Sequence, residues 1–377
     1  MNIGIVCYPT YGGSGVVATE LGMALAQKGH QVHFITSHQP VKLNFLNHNL
    51  HFHEVFVENY PLFHYQPYIL ALSSKLVESV QKYKLDLLHV HYAIPHAFAA
   101  YMAKQMLKDF GIDIPIVTTL HGTDITLVGS HPVYKPAVEF SINHSDVVTT
   151  VSQSLKKDTL RLFNIRKEIE VIYNFIDFEK IDAEREDNCL RDTLAGENEK
   201  IITHVSNLRP VKRILDVIKI FNRVQEKIPS KLILVGDGPD KEKADLLAKE
   251  MGIEKRILFL GQSDEIRKIL CLSDLFLLPS ETESFGLAAL EAMAAKTPVI
   301  SSNTGGLPEV NIQGVTGFLS DVGDVENMAK NAIYLLEDEQ RLTEFKNNAY
   351  EAAHQFSIEK ILPKYEEMYK RVIKNGF

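Results

Sequence analysis

Cysteine is scarce in this chain of 377 residues: Cys7, Cys189 and Cys271 are the only three, odd in number and far apart. No Cys-x-x-Cys pair occurs, so neither a disulfide framework nor a cysteine-built zinc site is expected, and reduced thiols point to the cytoplasm. Long apolar runs are missing too. No uninterrupted stretch approaches the ~20 residues that a membrane-spanning helix needs. The opening Met1-Asn2-Ile3-Gly4-Ile5-Val6 enters an apolar strand without the charged start, long apolar core and cleavage site of a signal peptide. There is no basic excess either, since Lys+Arg 40 stands against Asp+Glu 48 for a formal net charge of −8. Without a basic stripe to meet phosphates, a nucleic-acid partner is not expected. Finally, no Asp-x-Asp occurs. A nucleotide diphosphate held through a divalent metal commonly relies on such a pair, so cations and helix N-termini are the expected counter-charge and no metal requirement is expected.

What is present is unevenly distributed. Residues 1–176 carry 13 basic and 13 acidic side chains, so the whole deficit lies in residues 177–377, while 13 of the 15 histidines fall in the first stretch. Two halves with different electrostatics suggest two halves with different jobs, and the length fits two domains. Short β-branched and aromatic runs alternate with helical patterns throughout. Strands are predicted at Ile3–Tyr8, Gln31–Thr36, Leu87–Tyr92, Ile116–Leu120, Val147–Val151 and Glu170–Tyr173. After a polar stretch at Asp182–Lys200 the rhythm restarts, with strands predicted at Ile201–Val205, Leu232–Val235, Ile257–Leu260, Leu275–Leu278 and Pro298–Ser301. Strand–helix alternation implies right-handed crossovers, and hence an α/β fold of two Rossmann-like parallel-sheet domains. Ligands bind beyond the carboxyl ends of such strands, so a cleft between two facing sheets is the expected site, and informative residues should follow strands.

In the first half, Tyr11-Gly12-Gly13-Ser14-Gly15-Val16-Val17-Ala18 follows a strand and opens a helix. Its glycines formally satisfy G-x-G-x-x-G/A, but the end of the second strand, Ile35-Thr36-Ser37-His38-Gln39, lacks the carboxylate that a dinucleotide ribose requires. Anion contact at a helix N-terminus and a plain tight turn both remain. His89 and His91 share one face of a strand, as packing residues or, less simply, two members of a metal site. His121-Gly122-Thr123-Asp124 combines a titratable ring, a hydroxyl and a carboxylate, either as an acid–base set or as a helix cap. Asn174, after another strand, is a hinge or a site residue.

The second half is more specific. Ser206-Asn207-Leu208-Arg209-Pro210-Val211-Lys212-Arg213 places three cations at a strand-to-helix turn of an acidic half, which is a pocket for a polyanion such as a diphosphate or else a solvated charge cluster. Val235-Gly236-Asp237-Gly238-Pro239 is a glycine turn that needs no ligand to explain it. Glu281-Thr282-Glu283-Ser284-Phe285-Gly286-Leu287 opens a helix carrying Glu291 among alanines and leucines. A carboxylate on so apolar a helix needs a hydrogen-bonding partner, for which a ribose diol is suited, or exposure at one helix edge.

Together these segments resemble the retaining glycosyltransferases of the GT-B fold, family 4 in particular, over essentially the full length. The most specific element is Glu283-x7-Glu291 within Glu-Ser-Phe-Gly-Leu, followed by Gly305-Gly306-Leu307-Pro308-Glu309. Cys7-Tyr8-Pro9, Gly12-Gly13-Ser14-Gly15, Thr118 to Thr126, Ile172 to Asp177 and Val205 to Arg209 are similar to the branch that glycosylates L-malate for bacillithiol synthesis. One departure stands out: Ser206-Asn207-Leu208 replaces the usual Gly-Arg-Leu, so Asn207 occupies the place of the family's diphosphate arginine, and Arg209 or Arg213 must supply that charge. The resemblance implies an acceptor-binding domain over 1–176, completed by a C-terminal helix at 358–377, and a nucleotide-sugar domain over 177–357. UDP-N-acetylglucosamine and L-malate are the implied substrates, with no cofactor. Lys212, Arg209, Glu283 and His121 are the implied catalytic residues. Gly13, Gly15, Asn207, Arg209, Lys212, Gly236, Gln262, Glu283, Ser284, Phe285, Gly286, Leu287 and Glu291 are implied for the nucleotide sugar, with Glu291 on the ribose. Ser14, Tyr92, His121 and Asn174 are implied for the acceptor.

Two other readings stay open at this level. One is a related retaining UDP-sugar transferase acting on another small acid, a lipid or a polysaccharide; the other is a nucleotide-sugar binding module without turnover. Lipid-directed relatives often carry a basic amphipathic surface helix. Residues 67–83 offer only Lys75 and Lys82 as cations. A homo-oligomer is compatible with the sequence, which does not fix an oligomeric state.

Overall fold

The computed structural model describes residues 1–10, 12–43, 47–57, 66–184, 191–196 and 198–375. Tyr11, Cys189 and part of the polar stretch at 182–200 lie outside the described residues. The chain divides into two compact units, Met1–Asn174 with Glu359–Phe377, and Phe175–Ile358.

The first unit is built on seven strands: β1 Asn2–Val6, β2 Gln31–Thr36, β3 Leu50–Glu54, β4 Leu87–His91, β5 Ile116–Leu120, β6 Val147–Thr150 and β7 Ile169–Val171. They form one parallel sheet in the order β3-β2-β1-β4-β5-β6-β7. A parallel sheet is covered on both faces, which is why β4 and β5 are buried at every residue. The helix Tyr68–Tyr83 turns Leu72, Leu76 and Val80, four residues apart, into a core with Leu88, Val90, Ala99 and Ala103. Each leucine or valine among them contributes about 1.5–3 kcal/mol on burial. The C-terminal helix Ile358–Asn375 returns to this unit, burying Tyr365, Met368 and Tyr369. The Tyr369 hydroxyl lies 2.6 Å from His89 Nδ1, and Glu366 lies 2.9 Å from His30 Nε2.

The second unit repeats the plan with β8 Lys200–Val205, β9 Ser230–Val235, β10 Ile257–Gly261, β11 Leu275–Leu278, β12 Val299–Ser302 and β13 Gly317–Ser320. Their order is β10-β9-β8-β11-β12-β13, again all parallel. Ile202, Leu232, Leu275, Leu277 and Ile300 pack against Val217, Phe221 and Val224 of the helix Ile214–Gln225, and against Ala329 and Ala332. Two parallel-sheet α/β domains are thus present. Strand ends shift from the sequence expectation by one or two residues, as helix and strand ends commonly do. Two edge strands, β3 and β13, are additional: β3 reads Leu-His-Phe-His-Glu and β13 reads Gly-Phe-Leu-Ser, so neither shows an apolar run. In each sheet the chain order reverses once, between β1 and β4 and between β8 and β11.

Candidate functional site

Most of the residues singled out from the sequence lie in turns at or beside these two reversal points; Asn174 and Gln262 do not. In the first unit, Gly12 precedes the helix Gly13–Gln27, and the Gly15 and Val16 N–H groups donate to its carbonyl at 3.0 and 3.2 Å. The Ser14 hydroxyl reaches from this turn to the Tyr92 hydroxyl, 2.7 Å away in the turn after β4. Tyr92 holds a left-handed φ of 85°, and its ring centroid lies 5.3 Å from that of His121, after β5. Burial pushes the Tyr92 phenol up to about 12, so it stays a neutral donor and acceptor.

Asp124 sits beneath these turns and is buried. Its Oδ2 accepts the Ala93 N–H at 2.9 Å, and its Oδ1 accepts from Gly122 at 3.0 Å and His121 at 3.2 Å. The side chain therefore pins the turn after β4 to the turn after β5; it ties two turns together and does not cap its own helical turn, which starts at Gly122 without a side-chain cap. Burial nonetheless raises its carboxyl to about 6, against the pull of those donors. His89 is spent inside the sheet, on Tyr369 and, at 2.7 Å through Nε2, on Thr119. Among the described residues, no group of three or more His, Cys, Asp or Glu is placed to hold a metal ion. Ser14, Tyr92 and His121 are brought together. Asn174 follows β7, two strands further along the sheet, and shares no hydrogen bond with them among the described residues. Its buried Oδ1 is left without a hydrogen-bond partner there, an acceptor that a ligand hydroxyl could satisfy.

In the second unit, β8 leads into Ser206–Arg209 and a short turn Pro210–Lys212. Lys212 Nζ stands 2.5 Å from Glu283 Oε1, which also accepts the Ser280 hydroxyl at 2.9 Å. The Glu281 N–H donates to the Val211 carbonyl at 2.8 Å, so backbone and side chains both join the turns after β8 and β11. Two glycines of the motifs are explained by this packing. A Cβ on Gly305, whose φ is +54°, would stand 1.9 Å from the Glu283 carbonyl oxygen, and one on Gly236, with φ +117°, 1.8 Å from that of Ser206. Gly236 thus has a local reason to be glycine, as the sequence suggested.

The three cations separate here. Arg213 is committed to Asp216, Nε to Oδ2 at 2.6 Å, and Lys219 approaches the same carboxylate at 3.7 Å. Arg209 is exposed and has no ion pair among the described residues, and Asn207 beside it is also exposed. Phe285 is buried, Gly286 begins the helix Leu287–Ala294 with φ +94°, and Ser284, Leu287 and Glu291 are partly buried. Glu291 is neither fully buried nor at a fully exposed edge. Gln262 is exposed beyond β10, two strands from β8.

Sequence reasoning missed His204 and Ser280. His204 is buried near the end of β8, donates from Nδ1 to the Leu277 carbonyl at 2.8 Å and accepts the Ser206 hydroxyl at Nε2 at 2.7 Å. Ser206 Oγ in turn accepts the Leu208 N–H at 3.2 Å, which shapes the loop that departs from the family pattern. A polar ring two residues before a loop serine, on an otherwise apolar strand, was the available signal.

Comparison with known proteins agrees with this geometry. Residues 11–180 match the model of Glycosyltransferase Family 4, and residues 186–352 match that of Glycosyl transferases group 1. Among curated proteins, the N-acetyl-alpha-D-glucosaminyl L-malate synthase of Bacillus anthracis is 49% identical over 381 residues, covering 100% of this chain and 99% of its own. Among solved structures, the Anabaena protein HepE in complex with UDP and glucose superposes with a TM-score of 0.82 at 20% identity, over 98% of this chain and 100% of its own. Sucrose-phosphate synthase from Thermosynechococcus elongatus does so with 0.81 at 20% identity, over 100% of both chains. The identity and its full-length span place this chain among the family 4 glycosyltransferases.

Proposed function

We propose that this enzyme transfers N-acetylglucosamine from UDP-N-acetylglucosamine to the hydroxyl of L-malate, giving N-acetylglucosaminyl-α-L-malate and UDP, as the first step of bacillithiol synthesis in the cytoplasm. The observation that carries this reading is the full-length 49% identity to a relative named as the L-malate synthase. At the level of fold, the likeness to a UDP complex supports a UDP-sugar as donor.

In this reading Lys212 and Arg209 meet the diphosphate, Glu283 takes sugar hydroxyls and Glu291 the ribose. The amides around Phe285, Gly286 and Leu287 hold the sugar or phosphate, with Asn207, Ser284, Gly236 and Gln262 at the nucleotide-sugar periphery. Gly13 and Gly15, at the start of the first unit's helix Gly13–Gln27, are also assigned to the nucleotide sugar. Ser14, Tyr92, His121 and Asn174 take malate. The malate oxygen bonds to the anomeric carbon as the bond from that carbon to the phosphate oxygen breaks. Attack comes from the face the UDP leaves, so configuration is retained, and the hydroxyl proton passes to a phosphate oxygen of the departing UDP. Preorganised positive charge at that leaving group is the main catalytic contribution asked of the protein. No metal is needed in this scheme, because Lys212 and Arg209 supply the counter-charge.

UDP release from UDP-N-acetylglucosamine, followed with and without L-malate, lipid vesicles and EDTA, tests the proposal. Release that needs malate, survives EDTA and yields the α-linked product is expected. Release indifferent to malate but stimulated by lipid overturns the acceptor, and loss of activity in EDTA overturns the metal-free scheme.

A further inference from the structure

We infer that His91 fixes the tautomer of His121, so that His121 presents an Nδ1–H donor towards the acceptor and does not act as a base; this rests on the acceptor reading above. His91 is the last residue of β4 and fully buried, and its Nδ1 lies 2.8 Å from His121 Nε2. The two rings are stacked, with centroids 5.0 Å apart. Both are neutral: burial and the neighbouring rings hold His91 well below the usual histidine range, and burial with His96 nearby brings His121 down to about 3. A single proton therefore lies between them, and it belongs to one ring or the other.

The choice is decided at the far side of His91. Its Nε2 is buried and has no hydrogen-bond partner among the described residues. Were His121 Nε2 the donor, neutral His91 would have to carry its proton on Nε2, leaving an orphaned buried N–H at about 1–3 kcal/mol. With His91 Nδ1–H donating, Nε2 is only a bare lone pair, which interiors tolerate more readily than an orphaned donor. The same cluster supplies a parallel case. His96 Nδ1 lies 2.6 Å from the His91 carbonyl and must be the donor, so the buried, unpartnered His96 Nε2 is also a bare lone pair.

The consequence propagates outward. His121 Nε2 accepts, so its proton is on Nδ1. That atom has no hydrogen bond among the described residues and is not one of the buried orphan atoms, which makes it the nitrogen open to a ligand. His121 is only partly buried, consistent with one accessible edge. Asp124 does not compete for the ring, since its oxygens are occupied by backbone N–H groups. An Nδ1–H suits a carboxylate or hydroxyl oxygen of a hydroxy acid, and leaves the acceptor's proton to be taken elsewhere. His91 is thus a positioning residue that acts through His121.

Long-range proton–nitrogen spectra of the full chain, with nitrogen-15 histidine and His121 assigned through His121→Gln, read the tautomer directly without any substrate. A protonated Nδ1 and bare Nε2 on His121 are expected; the reverse pattern overturns the inference whichever acceptor is used. Replacing His91 by Asn keeps an N–H near the Nδ1 position, while His91→Leu removes it. His91→Leu should shift His121 towards its other tautomer and raise KM for the acceptor about tenfold, the value of one lost hydrogen bond. His91→Asn should restore both. Equal impairment in the two variants, or an unchanged His121 spectrum in His91→Leu, also overturns it. If malate proves not to be the acceptor, the spectra alone decide.

Discussion

Lys212 Nζ stands 2.5 Å from Glu283 Oε1, joining the turn after β8 to the turn after β11 where the chain order of the second sheet reverses. Both side chains remain partly accessible. Their charges satisfy one another; in the proposed function a substrate would offer a phosphate to the ammonium and hydroxyls to the carboxylate. The Ser280 hydroxyl stays on Glu283 and holds its orientation meanwhile.

Replacing Lys212 by Ala removes the cation and leaves Glu283 with only neutral donors. A preorganised group at a developing charge is worth about 10²–10³ in kcat, and a loss of that size is expected in steady-state UDP release. Lys212→Arg keeps the charge but not the compact ammonium geometry, so it should recover only part of the rate. A kcat within twofold of the parent in Lys212→Ala would mean the diphosphate is met elsewhere.

The Asn207 departure leaves two candidate arginines, and the structure separates them. Arg213 is bound to Asp216 within its own helix start, whereas Arg209 is exposed without an ion pair among the described residues. Arg209→Ala should therefore lower kcat/KM for UDP-N-acetylglucosamine by about tenfold or more, the value of a charge-assisted hydrogen bond. Arg213→Ala should leave kcat/KM within about twofold and instead lower the melting temperature slightly, through the freed Asp216. The opposite ranking would place Arg213 on the diphosphate.

The parallel sheets were legible because buried strands such as Leu232–Val235 and Leu275–Leu278 are apolar runs placed between periodic helices. Two of the four edge strands, β3 and β13, were not, because β3 alternates partly buried histidines with Leu50 and Phe52 and β13 offers only Phe318 and Leu319, whereas the edges β7 and β10 do carry readable apolar residues. The same contrast holds for the site. Lys212 and Glu283 were conspicuous as charges in unusual settings, but 71 residues separate them and no local rule pairs them. Asp124 was readable as a cap or an acid. Only the distances to Ala93, Gly122 and His121 show a buried anchor shared by two turns. His204 gave only the signal of a polar ring on an apolar strand, and that did not reveal its partners, because Leu277 comes from the neighbouring strand β11 and Ser206 from the loop after β8.

Stability should fall on acidification, and the sign follows from the buried histidines. Burial lowers His89 to about 3, and His96 and His204 to about 4, each from an ordinary value of 6.5. The unfolded chain therefore binds more protons than the native one between about pH 6.5 and 4, so stability rises with pH across that interval. These rings contribute fully above 6.5 and lose their contribution as pH drops towards their folded values. Asp124 opposes them. Its folded value of about 6 lies above the ordinary 3.8, so its contribution is complete below 3.8 and is lost as pH rises through 6. One carboxylate against several rings leaves a net decline on the acid side. Urea midpoints at pH 7 and pH 5 should show it directly. His89→Gln, which removes one titrating ring, should flatten the difference, and Asp124→Asn, which removes the opposing group, should enlarge it. Midpoints that do not change between the two pH values would mean that the fold takes up protons as readily as the unfolded chain over this range.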